Sequence, residues 1–181
     1  MSKVCIIVGS RRDGNSSHLA NQIKDKLRKE RIISNIITPG SQKIYLCTGC
    51  MDCDENGKCD FKDDMEDNIN KILESDTLIF ITPTRWNLLS GDIKIFMDRL
   101  NPLYTPKKLE NKKMVSIAIG ARKKEEYSTE SALTSLNSFA DSASMKVVYS
   151  KEINECLEGN DILEKQEEID KMVNDLIKRI K

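Results

Sequence analysis

The sequence predicts an α/β protein, a single doubly wound domain over residues 1–181 with a five-stranded parallel sheet covered by helices on both faces. Three observations support this. Five short aliphatic, β-branched runs alternate with stretches whose apolar residues recur at helical spacing. Each run ends in a loop of glycine, hydroxyl and turn-forming residues. No repeat or low-complexity tract interrupts the alternation.

Residues 4–8 (VCIIV) are too short for a helix and apolar enough for a strand buried on both faces. The run breaks at residues 9–17 (GSRRDGNSS), after which Leu19, Ala20, Ile23 and Leu27 mark an amphipathic helix. Residues 32–37 form the second strand, stopped by Thr38, Pro39 and Gly40, with Ile44, Tyr45 and Leu46 as a short continuation. Asp63 and Glu66 stand at capping-box spacing before a helix that aligns Met65, Ile69, Ile72 and Leu73. Residues 78–81 are the third strand, followed by a helix with Ile93, Phe96, Met97 and Leu100 on one face and Ser90 or Asp92 as cap. The fourth strand covers residues 114–119 and the fifth 145–149, with Leu133, Leu136, Phe139 and Ala140 on the helix between them. A long final helix carries Ile162, Ile169, Met172, Val173, Leu176 and Ile180, and its Lys/Glu-rich side is a solvated face.

Lysine plus arginine and aspartate plus glutamate balance at 29 each, which argues against nucleic acid or an anionic membrane as the main partner. With no run of spanning length and no signal-peptide pattern, a cytoplasmic protein is expected. In a reducing compartment six cysteines read as ligands or redox groups more than as disulfides.

In such sheets ligands sit beyond the C-terminal strand ends, where strand order reverses. Three loops lie there, at residues 9–17, 82–91 and 120–124. The first ends at a helix N-terminus, where unpaired backbone N–H groups and the helix dipole attract anions. Gly9 and Gly14 have the spacing of a P-loop, but Asn15 stands where the triphosphate-binding lysine would be, and the dinucleotide pattern GxGxxG is missing. A terminal phosphate monoester, as in FMN, suits this loop best. The same residues also fit a plain polar turn with a helix cap.

Cys47, Cys50, Cys53 and Cys59 are spaced CxxCxxCxxxxxC. The run is more compact than the two separated CxxC pairs of structural zinc and closer to ferredoxin spacing, though Asp60 replaces the usual proline. A [4Fe-4S] cluster, bare redox-active thiols and zinc remain three readings of it.

Three ordered motifs, GSRRDGNSSHLA at 9–20, CTGCMDCDENGKCDFKDDM at 47–65 and TPTRWNLLSGDIKIFMDRL at 82–100, resemble the NADPH-dependent FMN reductase group and its iron-sulfur flavoprotein branch. The resemblance implies a flavodoxin-like sheet of order 2-1-3-4-5. It implies that Ser10, Arg12, Asn15, Ser16 and Ser17 hold the FMN phosphate. Pro83, Thr84, Arg85, Trp86, Asn87 and Leu88 would line the isoalloxazine, with Gly120 and Ala121 on its far side. The activity implied is that of an FMN-dependent oxidoreductase passing electrons between a [4Fe-4S] cluster on Cys47, Cys50, Cys53 and Cys59 and FMN, with a ferredoxin-like donor. Without the cluster it becomes an NAD(P)H-dependent FMN or quinone reductase. No side-chain acid or base is required, since the flavin carries the chemistry. A homodimer or homotetramer is also implied, with the cluster of one chain near the flavin of another. A reading from a different class is a non-enzymatic protein that binds a phosphorylated metabolite and uses its cysteines for structural zinc. Of the remaining candidates, His18 is expected to face solvent, Cys5 to be a buried small hydrophobe and Cys156 to be an exposed thiol.

Overall fold

The computed structural model describes residues 3–123, 125–126 and 129–181, so Lys124 of the third predicted loop lies outside the described residues. The five expected strands are β1 (Lys3–Val8), β2 (Ile33–Ile37), β3 (Thr77–Pro83), β4 (Lys113–Ile119) and β5 (Lys146–Ile153). All pair in parallel, in the order 2-1-3-4-5. The helices are α1 (Asn15–Lys29), α2 (Asp52–Asn56), α3 (Met65–Leu73), α4 (Gly91–Asp98), α5 (Glu130–Ser142), α6 (Asp161–Glu164) and α7 (Gln166–Ile180).

Alternation along each strand divides the core into two layers. Val4, Ile6 and Val8 of β1 face a layer completed by α1 and α7, through Leu19, Ile23, Leu27, Ile169, Met172 and Leu176. Cys5 and Ile7 face the other layer with Ile72 of α3, Phe96 of α4 and Leu136 of α5. Cys5 is the buried small hydrophobe expected of it, and burial pushes its thiol up to about 12.

Four differences from the sequence reading have physical causes. Residues 44–46 do not extend β2; at the centre of the triplet Tyr45 N–H donates to Asp63 at 2.9 Å, and just before it Lys43 N–H donates to Asp64 at 2.7 Å. Five residues of the cysteine segment form the short helix α2, between left-handed Met51 and Gly57. β5 runs to Ile153, well past Tyr149; as an edge strand it tolerates polar residues, and a bulge beside Met114 and Val115 shifts its register. The final helix is broken at Lys165 into α6 and α7.

Candidate functional site

The chain leaves β1 toward β2 on one side and toward β3, β4 and β5 on the other, so the crevice lies beyond the C-terminal ends of β1 and β3. Gly9 seats the loop between β1 and α1 there. Its N–H donates to Ile81 C=O at 2.8 Å, and a Cβ at this position would stand 2.5 Å from both Ile93 Cγ1 and Ser90 Oγ. Only a residue without a side chain lets the loop lie this close to the start of α4. Ser90 caps α4, accepting from Ile93 N–H, while Asp92 instead receives the Arg11 guanidinium at 2.9 Å and ties the β1–α1 loop down.

Two adjoining cavities occupy the crevice. One of about 270 Å³ is lined by Ser10, Arg12, Asn15, Ser16, Pro83, Thr84, Arg85 and Ala121, together with Ile119, Cys156 and Leu157. The other, about 350 Å³, shares Thr84 and Ala121 and adds Trp86, Asn87, Gly120 and Arg122. All the predicted flavin residues except Ser17 and Leu88 therefore line one cavity or the other. Two larger grooves, about 560 and 730 Å³, flank the cysteine segment instead.

The individual roles differ from those the sequence suggested. Ser17 is a cap: its Oγ accepts from Gly14 N–H at 2.8 Å and lies 2.8 Å from Asp13 Oδ1. Asn15 is 8% exposed, and its amide is committed to the chain. It donates to the carbonyls of Cys156 (3.2 Å) and Glu158 (2.6 Å) and accepts from Ile162 N–H (3.0 Å), fastening the segment after β5 across the start of α1. That clamp carries Cys156 to the cavity wall. Cys156 is not an exposed thiol; it is 6% exposed, and burial pushes it up to about 11. His18 does not simply face solvent either, since Nε2 lies 3.0 Å from Asn160 Oδ1 and the side chain is 23% exposed.

Arg85 and Leu88 exchange two backbone hydrogen bonds of 2.9 Å, closing a two-residue hairpin with Trp86 and Asn87 at its tip. Both tip residues have positive φ, 52° and 60°, a geometry that favours Asn-Gly and strains a bulky side chain. Trp86 is 98% exposed: it edges the second cavity but is not packed into a wall.

All four cysteines of the compact run line a third, small cavity of about 20 Å³. Cys47 and Cys50 are exposed, Cys59 is half-buried and Cys53 is buried. Among the described residues no three His, Cys, Asp or Glu side chains are gathered to hold a single metal ion. Four cysteines line this one cavity and two of them receive N–H donors, and soft thiolates in this number are the donor chemistry of an iron-sulfur group. Asn101 Nδ2 lies 3.2 Å from Cys53 Sγ and Arg99 Nη2 lies 3.5 Å from Cys59 Sγ. The Arg99–Asp63 pair behind them is fully buried, with side chains 2% and 0% exposed. Burial works against the charge of Arg99, but the hydrogen bonds and charge of Asp63, with a smaller contribution from Cys59, hold its pKa above the ordinary value. Sequence reasoning gave Asp63 to a helix cap and gave Arg99 and Asn101 no role.

A 2-1-3-4-5 parallel sheet whose first βα loop reaches a helix N-terminus at the switch point defines the flavodoxin-like class. Within that class, residues 2–154 match the family of NADPH-dependent FMN reductases, and the chain belongs to that family. It is 33% identical over 120 residues to an iron-sulfur flavoprotein of Methanocaldococcus jannaschii, covering 66% of this chain and 62% of that one. It is 30% identical over 128 residues to an iron-sulfur flavoprotein of Archaeoglobus fulgidus, covering 70% and 58%. The chain thus spans about three-fifths of the length of these curated relatives. Among solved structures, a flavone reductase superposes with TM-score 0.74 at 16% identity over 95% of this chain and 59% of that one. An azoreductase of Bacillus anthracis does so with 0.68 at 16% over 96% and 95%. At these identities the superpositions speak for the fold alone. No helix among the described residues is long and apolar enough to cross a membrane.

Proposed function

We propose that this chain binds FMN in the switch-point crevice and acts as an oxidoreductase, with the four clustered cysteines carrying a [4Fe-4S] cluster. The observation that supports the flavin is the convergence of loops 9–16, 83–87 and 119–121 on two cavities that share Thr84 and Ala121.

The phosphate would sit against the backbone N–H groups that open α1, which have no acceptor within the helix. Ser10 and Ser16 supply hydroxyls and Arg12 a guanidinium at the same cavity. Ser10 Oγ lies 3.4 Å from Arg12 C=O, and this contact shapes the loop. Asn15 acts indirectly, by holding Cys156 and Leu157 against the cavity. The ring would extend toward Thr84, whose N–H is held by Ile119 C=O at 2.8 Å, keeping that wall fixed. Bound FMN would supply the electron transfer, and the protein its position and surroundings. The names of the relatives support an iron-sulfur group beside it.

Titration of the protein with FMN tests the first half: quenching of flavin fluorescence that saturates at one FMN per chain is expected, and no binding refutes it. Iron and acid-labile sulfide measured per chain after anaerobic preparation test the second half. Bound FMN without iron or sulfide would favour the cluster-free NAD(P)H-dependent reductase. Stoichiometric zinc without flavin would favour a metabolite-binding module.

A further inference from the structure

Two donors reach the cysteine sulfurs from outside the cysteine segment. Both come from the end of α4: Arg99 is its C-terminal cap and Asn101 opens the following 3-10 turn, Asn101–Leu103. Leu100 and Leu103, which flank them, are 2% and 4% exposed and belong to the core, so the donors are set by the folded body and not by the cysteine loop. Arg99 donates to Tyr45 C=O at 2.8 Å and to both oxygens of Asp63, and its guanidinium lies 5.1 Å from the Phe61 ring centre. Its Nη2 then reaches Cys59 Sγ, and Asn101 Nδ2 reaches Cys53 Sγ. A neutral thiol is a weak acceptor, whereas an anionic sulfur is a strong one. A buried guanidinium whose Nη2 is aimed at a sulfur is therefore matched to a thiolate more than to a thiol.

We infer that Arg99 and Asn101 are positioning residues that set the reduction potential of a cluster on Cys47, Cys50, Cys53 and Cys59. The inference rests on the cluster reading given above. One electron added to such a cluster makes the site one charge more negative and breaks no bond. N–H donors to its sulfurs stabilise that added charge and raise the potential. The stabilisation is one-sided, since Cys53 and Cys59 receive the donors while Cys47 and Cys50 stand exposed.

The test uses anaerobically prepared protein carrying its iron, sulfide and FMN, with the cluster followed by electron paramagnetic resonance during a dithionite titration and the flavin by absorbance. Asn101→Leu removes one donor. Arg99→Lys keeps a cation for Asp63 but lacks the fork that also reaches sulfur. Each variant is expected to shift the cluster midpoint to more negative potential while leaving the flavin midpoint and FMN content unchanged. Asn101→Asp, which places negative charge beside Cys53, should shift it further still. A retained cluster with the wild-type midpoint in both Asn101→Leu and Arg99→Lys would overturn the inference and leave the cluster reading intact. Loss of iron from both variants with FMN retained would also overturn it, making the donors structural supports. Absence of iron and sulfide from the wild-type protein would overturn the cluster reading and the tuning with it.

Discussion

Replacing Asp63 by alanine probes the joint between the cysteine segment and the sheet. The carboxylate is 0% exposed, binds the Arg99 guanidinium through both oxygens and accepts from Tyr45 and Met65 N–H. Removing it leaves a cation that is 2% exposed without its counterion, a change that costs about 3–5 kcal/mol. With a urea dependence of about 2 kcal/mol per molar, a loss of 4 kcal/mol lowers the unfolding midpoint by roughly 2 M. Equilibrium urea unfolding of wild type and variant measures this directly. The paired replacement Asp63→Leu with Arg99→Met removes both charges and should recover most of the loss, because well-packed apolar pairs commonly equal or exceed buried ion pairs. Acid titration gives a second measure. Burial works to raise the Asp63 pKa, but the Arg99 hydrogen bonds and the Tyr45 and Met65 N–H groups outweigh it and hold the carboxyl below its usual range. Its stabilisation is therefore complete above the unfolded carboxylate value of about 3.9 and disappears as pH falls through the lower folded value. Asp63→Asn should lose that acid-side dependence. A loss below about 1 kcal/mol for Asp63→Ala would refute the view that this pair is a buried, mutually dependent one.

Gly9→Ala should destabilise the fold by about 1–3 kcal/mol and weaken FMN binding, since the new methyl would stand 2.5 Å from Ile93 Cγ1 and Ser90 Oγ; thermal melts and flavin titration report both effects. Trp86→Asn should stabilise the protein by roughly 1 kcal/mol, because it relieves a bulky residue at φ 52° and gives up no burial at 98% exposure; an unchanged or lower melting temperature would contradict this. Cys156 should resist iodoacetamide at pH 8 until the protein unfolds, being 6% exposed with its thiol pushed up to about 11. As pH rises from the unfolded thiol value of about 8.5 toward that folded value, the protein should lose stability, and Cys156→Ala should make this alkaline limb shallower, leaving the share of buried Cys5.

The sheet was legible in the sequence because burial on both faces forces nearly continuous apolar runs, and residues 4–8, 78–81 and, with Ser116 as the one polar member, 114–119 are such runs. Where burial is partial the signal fades: the polar second half of β5 pairs with β4 through backbone groups that composition does not report. Residues 44–46 show the converse, an apolar triplet that joins no strand and whose central N–H donates to Asp63. At the site, the loops were legible because their position follows from topology, whereas the use of each side chain was not. Asn15 and Ser17 have the polarity of phosphate ligands, yet the fold commits one to a clamp across residues 156–162 and the other to a helix cap. The four cysteines announced themselves by spacing, but their hydrogen-bond donors come from residues 99 and 101, 40 and 48 positions away in the chain. Local pattern shows which groups are able to bind or react. Long-range packing decides which of them are already occupied, and at the cysteines it also supplies the guanidinium and amide donors that reach Cys59 and Cys53.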